Sequence, residues 1–219
     1  MYYKRLSMIA YALLGLIIIS ISINVGFKYL VSNDEWLGLL IGILMMLLSI
    51  IIYQFGKIKT IYYQMSFIVS MIGVGLSMTA YYVLKAYSLT LRDFLAAILI
   101  SMLVLIGFAL FSRLEAVKKH IKTALSLVII ISFVLSLALW LSSDIFTGLT
   151  FYYLNVIYFF MIGVATATES FKDISREMAW VSFGAFILVS IIVLIVLTEG
   201  EALTGLDGFD IPRKRRVKK

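Results

Sequence analysis

The chain has 219 residues, of which 63% are hydrophobic and only 14% are charged, and its mean hydropathy is +1.06. This composition excludes an ordinary water-soluble domain, because a soluble core cannot absorb so much apolar surface. The formal net charge of +7 comes mostly from Lys and Arg beside hydrophobic runs, which indicates membrane topology signals and makes nucleic acid an unexpected partner.

Seven apolar runs bounded by charged residues are each long enough to cross the roughly 30 Å hydrocarbon core of a bilayer. In chain order they are residues 8–30, 36–55, 61–83, 94–111, 123–141, 145–165 and 179–197. The first run is too long for a signal peptide and lacks a small-residue cleavage site, so we expect it to be retained. The sequence therefore predicts an all-α, polytopic transmembrane helix bundle of about seven spans in residues 1–197.

The distribution of cations predicts the orientation. With the N-terminus inside, the inner segments hold ten Lys and Arg: Lys4, Arg5, Lys57, Lys59, Arg113, Lys118, Lys119, Lys122, Lys172 and Arg176. The outer loops hold three: Lys28, Lys85 and Arg92. The positive-inside rule then predicts an N-in, C-out, multi-pass protein of a prokaryotic cytoplasmic membrane, whose basic loops meet anionic lipid headgroups.

Residues 198–219 form an acidic and then basic C-terminal tail, which we expect to be flexible and which conflicts with this orientation. Seven spans place the tail outside, although it carries Arg213, Lys214, Arg215 and Arg216. One interpretation is that these cations lie too far from the last span to steer insertion. The other is a tail that binds anionic lipid, polymer or RNA, which would require a cytoplasmic tail and an even number of spans.

Ionisable residues are the first place to look for chemistry, because a charge inside a membrane is costly and usually functional. None falls in the central third of a predicted span, which disfavours an ordinary proton-coupled carrier. Lys28 and Asp93 lie at helix ends, where snorkelling and N-capping explain them. The chain has no cysteine and a single histidine, His120, so thiol chemistry is excluded, and we expect no metal, cofactor or catalytic site.

Neutral polar residues inside the predicted spans are also candidate functional residues. Asn155, near the middle of the sixth predicted span, carries an amide that hydrocarbon cannot satisfy. Its structural interpretation is an interhelical hydrogen bond to a Ser or Tyr, and its functional one is a contact in a substrate or ion path. A weaker set comprises Asn24, Gln64, Ser70, Ser77 and Thr79. Ser70 and Ser77 are a heptad apart and share a face of the third span, which either lines a wet cavity or packs.

Aromatic and glycine residues complete the pattern. Most aromatic residues lie near predicted span ends, but a run that includes Tyr152 and Tyr158 enters the sixth span, where it either packs or contacts a ligand. Gly38 and Gly42 form a GxxxG pair that favours close helix packing, within the bundle or between copies.

Two hypotheses of function follow. The first is a non-enzymatic accessory, partner-binding or immunity-type subunit of a membrane system, whose partners are lipids, a second copy or another membrane protein. The alternative is a carrier or channel for a neutral or lipid-like solute, with Asn155, the polar face of the third span and the aromatic run lining its path.

Overall fold

The computed structural model describes residues 2–30, 35–84, 89–112, 149–166 and 171–197, together with a few isolated positions between 114 and 134. The helices within these ranges are α1 (Tyr2–Leu30), α2 (Glu35–Phe55), α3 (Ile61–Leu84), α4 (Leu91–Phe111), α5 (Leu149–Thr166) and α6 (Phe171–Leu197). The predicted all-α bundle is thus confirmed. Five of these helices are long and apolar enough to span a membrane, and α5 carries a shorter apolar stretch, Leu149–Val164.

The boundaries of α2 and α3 match the predicted runs to within one residue, whereas three other helices begin before their runs. Helix α1 begins at Tyr2 instead of residue 8, α4 at Leu91 instead of residue 94, and α6 at Phe171 instead of residue 179. Charged side chains end an apolar run, but most of them are good helix formers, so the backbone continues as helix into the headgroup region. The predicted run 123–141, residues 145–148 and the tail with Arg213–Arg216 lie outside the continuously described ranges.

Helix α4 begins with a capping box that explains Asp93. The Asp93 carboxylate accepts hydrogen bonds from the backbone N–H and the hydroxyl of Thr90, at 2.8 and 2.7 Å. The Thr90 hydroxyl oxygen in turn accepts from the Asp93 backbone N–H at 3.4 Å. These bonds satisfy backbone donors that the first turn of a helix leaves free. The sequence-based interpretation of Asp93 as an N-terminal capping residue is therefore confirmed.

Neighbouring contacts establish the direction of each helix. Gly15 lies against Phe67 and Gly26 against Thr79, so α1 and α3 run in the same direction. Gly38 lies against Ala80, so α2 runs the opposite way. Similar contacts show that α6 runs with α3, and that α4 and α5 run against it. We call the end where α1 and α6 begin the basic end; Lys4, Arg5, Lys57, Lys59 and Arg176 lie there.

Helix α3 is the centre of the described bundle, where it packs against α1, α2 and α6. In its apolar stretch 78% of the residues are buried in the protein, against 22% for α2. The buried polar side chains of the described helices belong to Ser, Thr and Asn, apart from the tyrosine hydroxyls. Of the neutral polar candidates, Gln64, Ser70, Ser77 and Thr79 lie on α3.

Candidate functional site

Helices α2 and α3 meet along a seam of small residues. Each of Gly38 and Gly42 approaches the α3 backbone so closely that a Cβ atom at either position would lie 2.8 Å from a carbonyl oxygen, that of Leu76 or Gly73. Further along the seam, the Ser49 hydroxyl donates to the Ser66 carbonyl at 2.7 Å, and the Ser66 hydroxyl donates to the Ser49 carbonyl at 2.9 Å. The GxxxG pair therefore serves packing within the bundle.

Ser70 and Ser77 are both fully buried on α3, and both hydroxyls lack a hydrogen-bond partner. A serine in a membrane helix commonly bonds the carbonyl four residues earlier, as Ser20 and Ser22 do in α1. For Ser70 that carbonyl belongs to Ser66 and already accepts the Ser49 hydroxyl. For Ser77 it belongs to Gly73 and lies against Gly42 of α2. Close packing of α2 thus explains why these two hydroxyls are left unsatisfied.

The buried hydroxyl of Ser190, on α6, also lacks a hydrogen-bond partner. The Phe186 ring of α6 packs against Gly73 of α3, 3.3 Å from the position that a Cβ atom would occupy there. Ser190 and Ser77 each follow these residues by one turn, and α3 and α6 run in the same direction, so both serines lie at the same level. The junction of α2, α3 and α6 therefore contains buried hydroxyls, those of Ser70, Ser77 and Ser190, that have no hydrogen-bond partner.

The aromatic run of α5 packs against the far end of α3. The Tyr152 ring lies edge-on to Tyr81 and Tyr82, with centroids 5.2 and 6.5 Å apart. Tyr152 is 1% exposed and its hydroxyl has no hydrogen-bond partner, while Tyr158 is also buried. The neighbouring Tyr153 hydroxyl instead meets the Ser20 hydroxyl of α1 at 2.6 Å. These rings fill the space between α1, α3 and α5.

Asn155 is buried, but its hydrogen bond differs from the one expected. The side-chain Nδ2 donates to the Phe151 carbonyl, four residues earlier in α5, at 2.8 Å. Of the two interpretations of Asn155, the structural one is therefore wrong, because the amide bonds its own helix instead of a Ser or Tyr of another helix. The carbonyl one turn earlier lies within reach of the amide and retains a free lone pair, so it competes with any partner on another helix.

Asn24 and Gln64 do not join the other candidates. Asn24 is exposed on α1 and its Nδ2 donates to the Ser20 carbonyl at 2.9 Å. Gln64 is half-buried in the first turn of α3, at the basic end. The polar candidates thus divide among the α2–α3 seam, the aromatic packing of α5 and the surface.

An aromatic group marks the basic end between α2 and α6. The rings of Tyr53, Trp180 and Phe183 lie 5.5 to 6.3 Å apart, and Trp180 is 67% exposed. The Arg176 Nε donates to the Tyr53 hydroxyl at 3.4 Å. Exposed tryptophan and arginine are typical of the lipid headgroup region, so this group has the composition expected at a membrane interface.

Sequence reasoning missed two of the interhelical hydrogen bonds, Ser49 with Ser66 and Ser20 with Tyr153. A signal existed for the first pair, because Ser49 continues the helical face of Gly38 and Gly42 and Ser66 precedes Ser70 by one turn. The described residues contain no cluster of His, Cys, Asp or Glu able to hold a metal ion. Comparison with protein-family models, curated proteins and solved structures finds no match to this chain.

Proposed function

We propose that this protein is a non-enzymatic, multi-pass accessory subunit of a prokaryotic cytoplasmic membrane that acts by packing against a partner helix within the bilayer. The observation that carries the proposal is an exposed row on α4 with alternating spacings of four and three residues. We name this row the α4 seam; its members are Ala96, Leu99, Leu103, Ile106 and Leu110.

The spacing of the α4 seam suits helix pairing. Residues repeated every 3.5 positions remain on one side of a helix that coils around another, and they insert between side chains of the partner. Leu99 and Leu103 are 63% and 61% exposed, so both are available to a partner from outside the chain. Helical pairs in membranes depend on such packing, because lipid is as apolar as leucine.

Gly107, which lies between the seam residues Leu103 and Leu110, adds a second argument. The other nine described glycines each have an atom within about 3.1 Å of the position that a Cβ would occupy, whereas Gly107 has none within 4 Å. Glycine weakens a helix and is favoured in membrane spans where backbones approach closely. The missing side chain at Gly107 leaves a notch between Leu103 and Leu110. A partner backbone packed into this notch would explain why a glycine is found there.

The experiment compares two matched truncations, Leu103→Ala in the α4 seam and Leu44→Ala on α2, where Leu44 is 63% exposed. We expect a stoichiometric partner or second copy to co-purify in mild detergent with the wild type and with Leu44→Ala, and to be lost with Leu103→Ala. Monomeric wild-type protein without a partner would contradict the proposal.

The absence of cysteine allows a test in native membranes. If the partner is a second copy related by two-fold symmetry, Leu103→Cys should form a disulfide-linked dimer under mild oxidation, whereas Leu44→Cys should not. Capture of a different protein at Leu103 would assign the seam to a heteromeric partner.

The carrier alternative is favoured by one observation, the unsatisfied hydroxyls of Ser70, Ser77 and Tyr152. Buried polar groups without partners are candidates for contact with water or solute. These hydroxyls do not share one set of neighbours, which argues against a single path through the bundle. Ser77 lies beside Gly42 of α2, whereas Tyr152 lies beside two tyrosines of α3. Loss of the cellular phenotype in Tyr152→Phe protein that remains fully stable would support a carrier.

A further inference from the structure

A groove of about 250 Å³ runs along α1 near the basic end and opens on the outside of the bundle. Ser7, Ala10, Tyr11 and Leu14 line it. Their spacing of three, four and seven positions places them on one face of α1. Because Ala10 and Leu14 are exposed, the groove faces the surroundings of the bundle instead of its core.

Packing holds one wall of the groove in place. The Tyr11 ring lies edge-on to Phe67 of α3, with centroids 5.2 Å apart. Its hydroxyl shares a hydrogen bond of 3.1 Å with the Ser175 hydroxyl of α6. Tyr11 is thus fixed by two other helices, so the groove exists before any ligand arrives, which lowers the entropic cost of binding.

Polarity changes along the groove. Leu14 and Ala10 make the part farther from the basic end apolar, whereas Ser7 brings a hydroxyl to the part nearest that end. Lys4 lies one turn before Ser7 on the same side of α1 and is half-buried. The groove is thus apolar along most of its length and has a hydroxyl and a lysine ammonium group towards the basic end. This is the order of an acyl chain and a phosphate headgroup in a phospholipid.

The charges around the groove favour an anion. Helix α1 contains no acidic residue from Tyr2 to Leu30. Arg5 adds a second cation, and its Nη1 lies 3.4 Å from the Ala109 carbonyl of α4. On α6, Glu177 follows Ser175 by two residues and therefore lies about 200° around the helix from the residue that contacts Tyr11.

We propose that this groove binds one acyl chain of an anionic phospholipid, with the lipid phosphate at Lys4. Charge separates this occupant from an apolar partner helix, because Lys4 and Arg5 lie at the basic end of a helix that has no acidic residue. This site is distinct from the α4 seam, so the two proposals fail or succeed independently.

Lipid retention tests the proposal directly. The protein is reconstituted in nanodiscs of phosphatidylcholine and phosphatidylglycerol, and the lipids that remain bound after transfer to detergent are counted by native mass spectrometry. We expect the wild type to retain phosphatidylglycerol in preference to phosphatidylcholine. Lys4→Gln should reduce that preference by about fivefold, the effect of one cation near an anionic surface. Lys59→Gln, which removes an exposed cation at the same end, is the matched control.

Ala10→Phe tests the apolar part, because its ring should fill the groove and abolish retention of the bound lipid. The control is Leu40→Phe on α2, where Leu40 is 55% exposed. Ala10 is exposed, so the variant should fold; Leu14→Trp provides a second blocking change if it does not. Equal lipid retention in the blocked variant and Leu40→Phe, or equal selectivity in Lys4→Gln and Lys59→Gln, would overturn the proposal.

Discussion

Ser49 and Ser66 exchange hydrogen bonds across the interface of α2 and α3, each hydroxyl donating to the backbone carbonyl of the other residue. The two hydroxyl oxygens lie 3.0 Å apart, and both residues are fully buried. This pair joins the least buried of the described candidate spanning helices to the central one. Its contribution can be separated from that of the other serines on α3, because Ser70 and Ser77 are equally buried but unpaired.

Removing the Ser66 hydroxyl should weaken the protein. Ser66→Ala eliminates the hydrogen bond to the Ser49 carbonyl, and bonds of this kind between membrane helices contribute roughly 0.6 to 1.7 kcal/mol. We expect the free energy of unfolding, measured by denaturant titration in detergent, to fall by about 1 kcal/mol. A double-mutant cycle with Ser49→Ala should show coupling between the two positions.

The matched control is Ser77→Ala, on the same helix and at the same burial. Its hydroxyl has no partner to lose, so the change should be neutral or should stabilise the protein by up to about 1 kcal/mol. A larger loss of stability in Ser77→Ala than in Ser66→Ala would mean that the Ser77 hydroxyl binds water or a ligand.

Adding one methyl group at the α2–α3 seam should be costly. In Gly42→Ala the new Cβ would lie 2.8 Å from the Gly73 carbonyl oxygen, and a backbone atom cannot move aside without separating the helices. We expect a loss of about 2 kcal/mol in the free energy of unfolding. Gly107→Ala, which meets nothing within 4 Å, should be neutral or stabilising in the isolated protein. Equal effects at both glycines would show that α2 does not pack as described.

The sequence predicts those features of the bundle that depend on composition and spacing. Apolar run length located the described helices, and the spacing of Gly38 and Gly42 predicted a close approach that the structure places against α3. The heptad spacing of Ser70 and Ser77 correctly placed them on one face. Each of these properties belongs to a single helix, and helix geometry fixes it before any partner is known.

The choice of partner could not be predicted in the same way. Asn155 was expected to bond another helix, yet a rotamer that reaches the Phe151 carbonyl places the amide on its own helix. Residues 152 and 153 are both tyrosines, but only the Tyr153 hydroxyl meets the Ser20 hydroxyl. Such differences depend on how α5 is rotated against α1 and α3, a property of the assembled bundle.

The two adjacent tyrosines should respond differently to loss of the hydroxyl. Ser20 donates its own proton to the Leu16 carbonyl at 2.8 Å, so the Tyr153 hydroxyl is the donor in its 2.6 Å contact with Ser20. Tyr153→Phe should therefore lower the free energy of unfolding by about 1 kcal/mol. Tyr152→Phe removes an unsatisfied hydroxyl and should not lower it. The reverse order of stabilities would contradict the described rotation of α5.

Asn155→Leu separates the two hypotheses of function. Because the Asn155 amide bonds the carbonyl of its own helix, its removal breaks no described link between helices, and the Phe151 carbonyl still accepts its backbone hydrogen bond. We expect the free energy of unfolding to change by less than about 1 kcal/mol, a smaller effect than that of losing an interhelical bond. Asn24→Leu, an exposed residue with the same intrahelical bond, is the control. A loss of about 1 kcal/mol or more that Asn24→Leu does not show would mean that Asn155 holds two helices together. If stability is unchanged, the variant is tested for its ability to restore the phenotype of cells that lack the gene. Full restoration fits a partner-binding subunit, and failure to restore means that the amide contacts a solute.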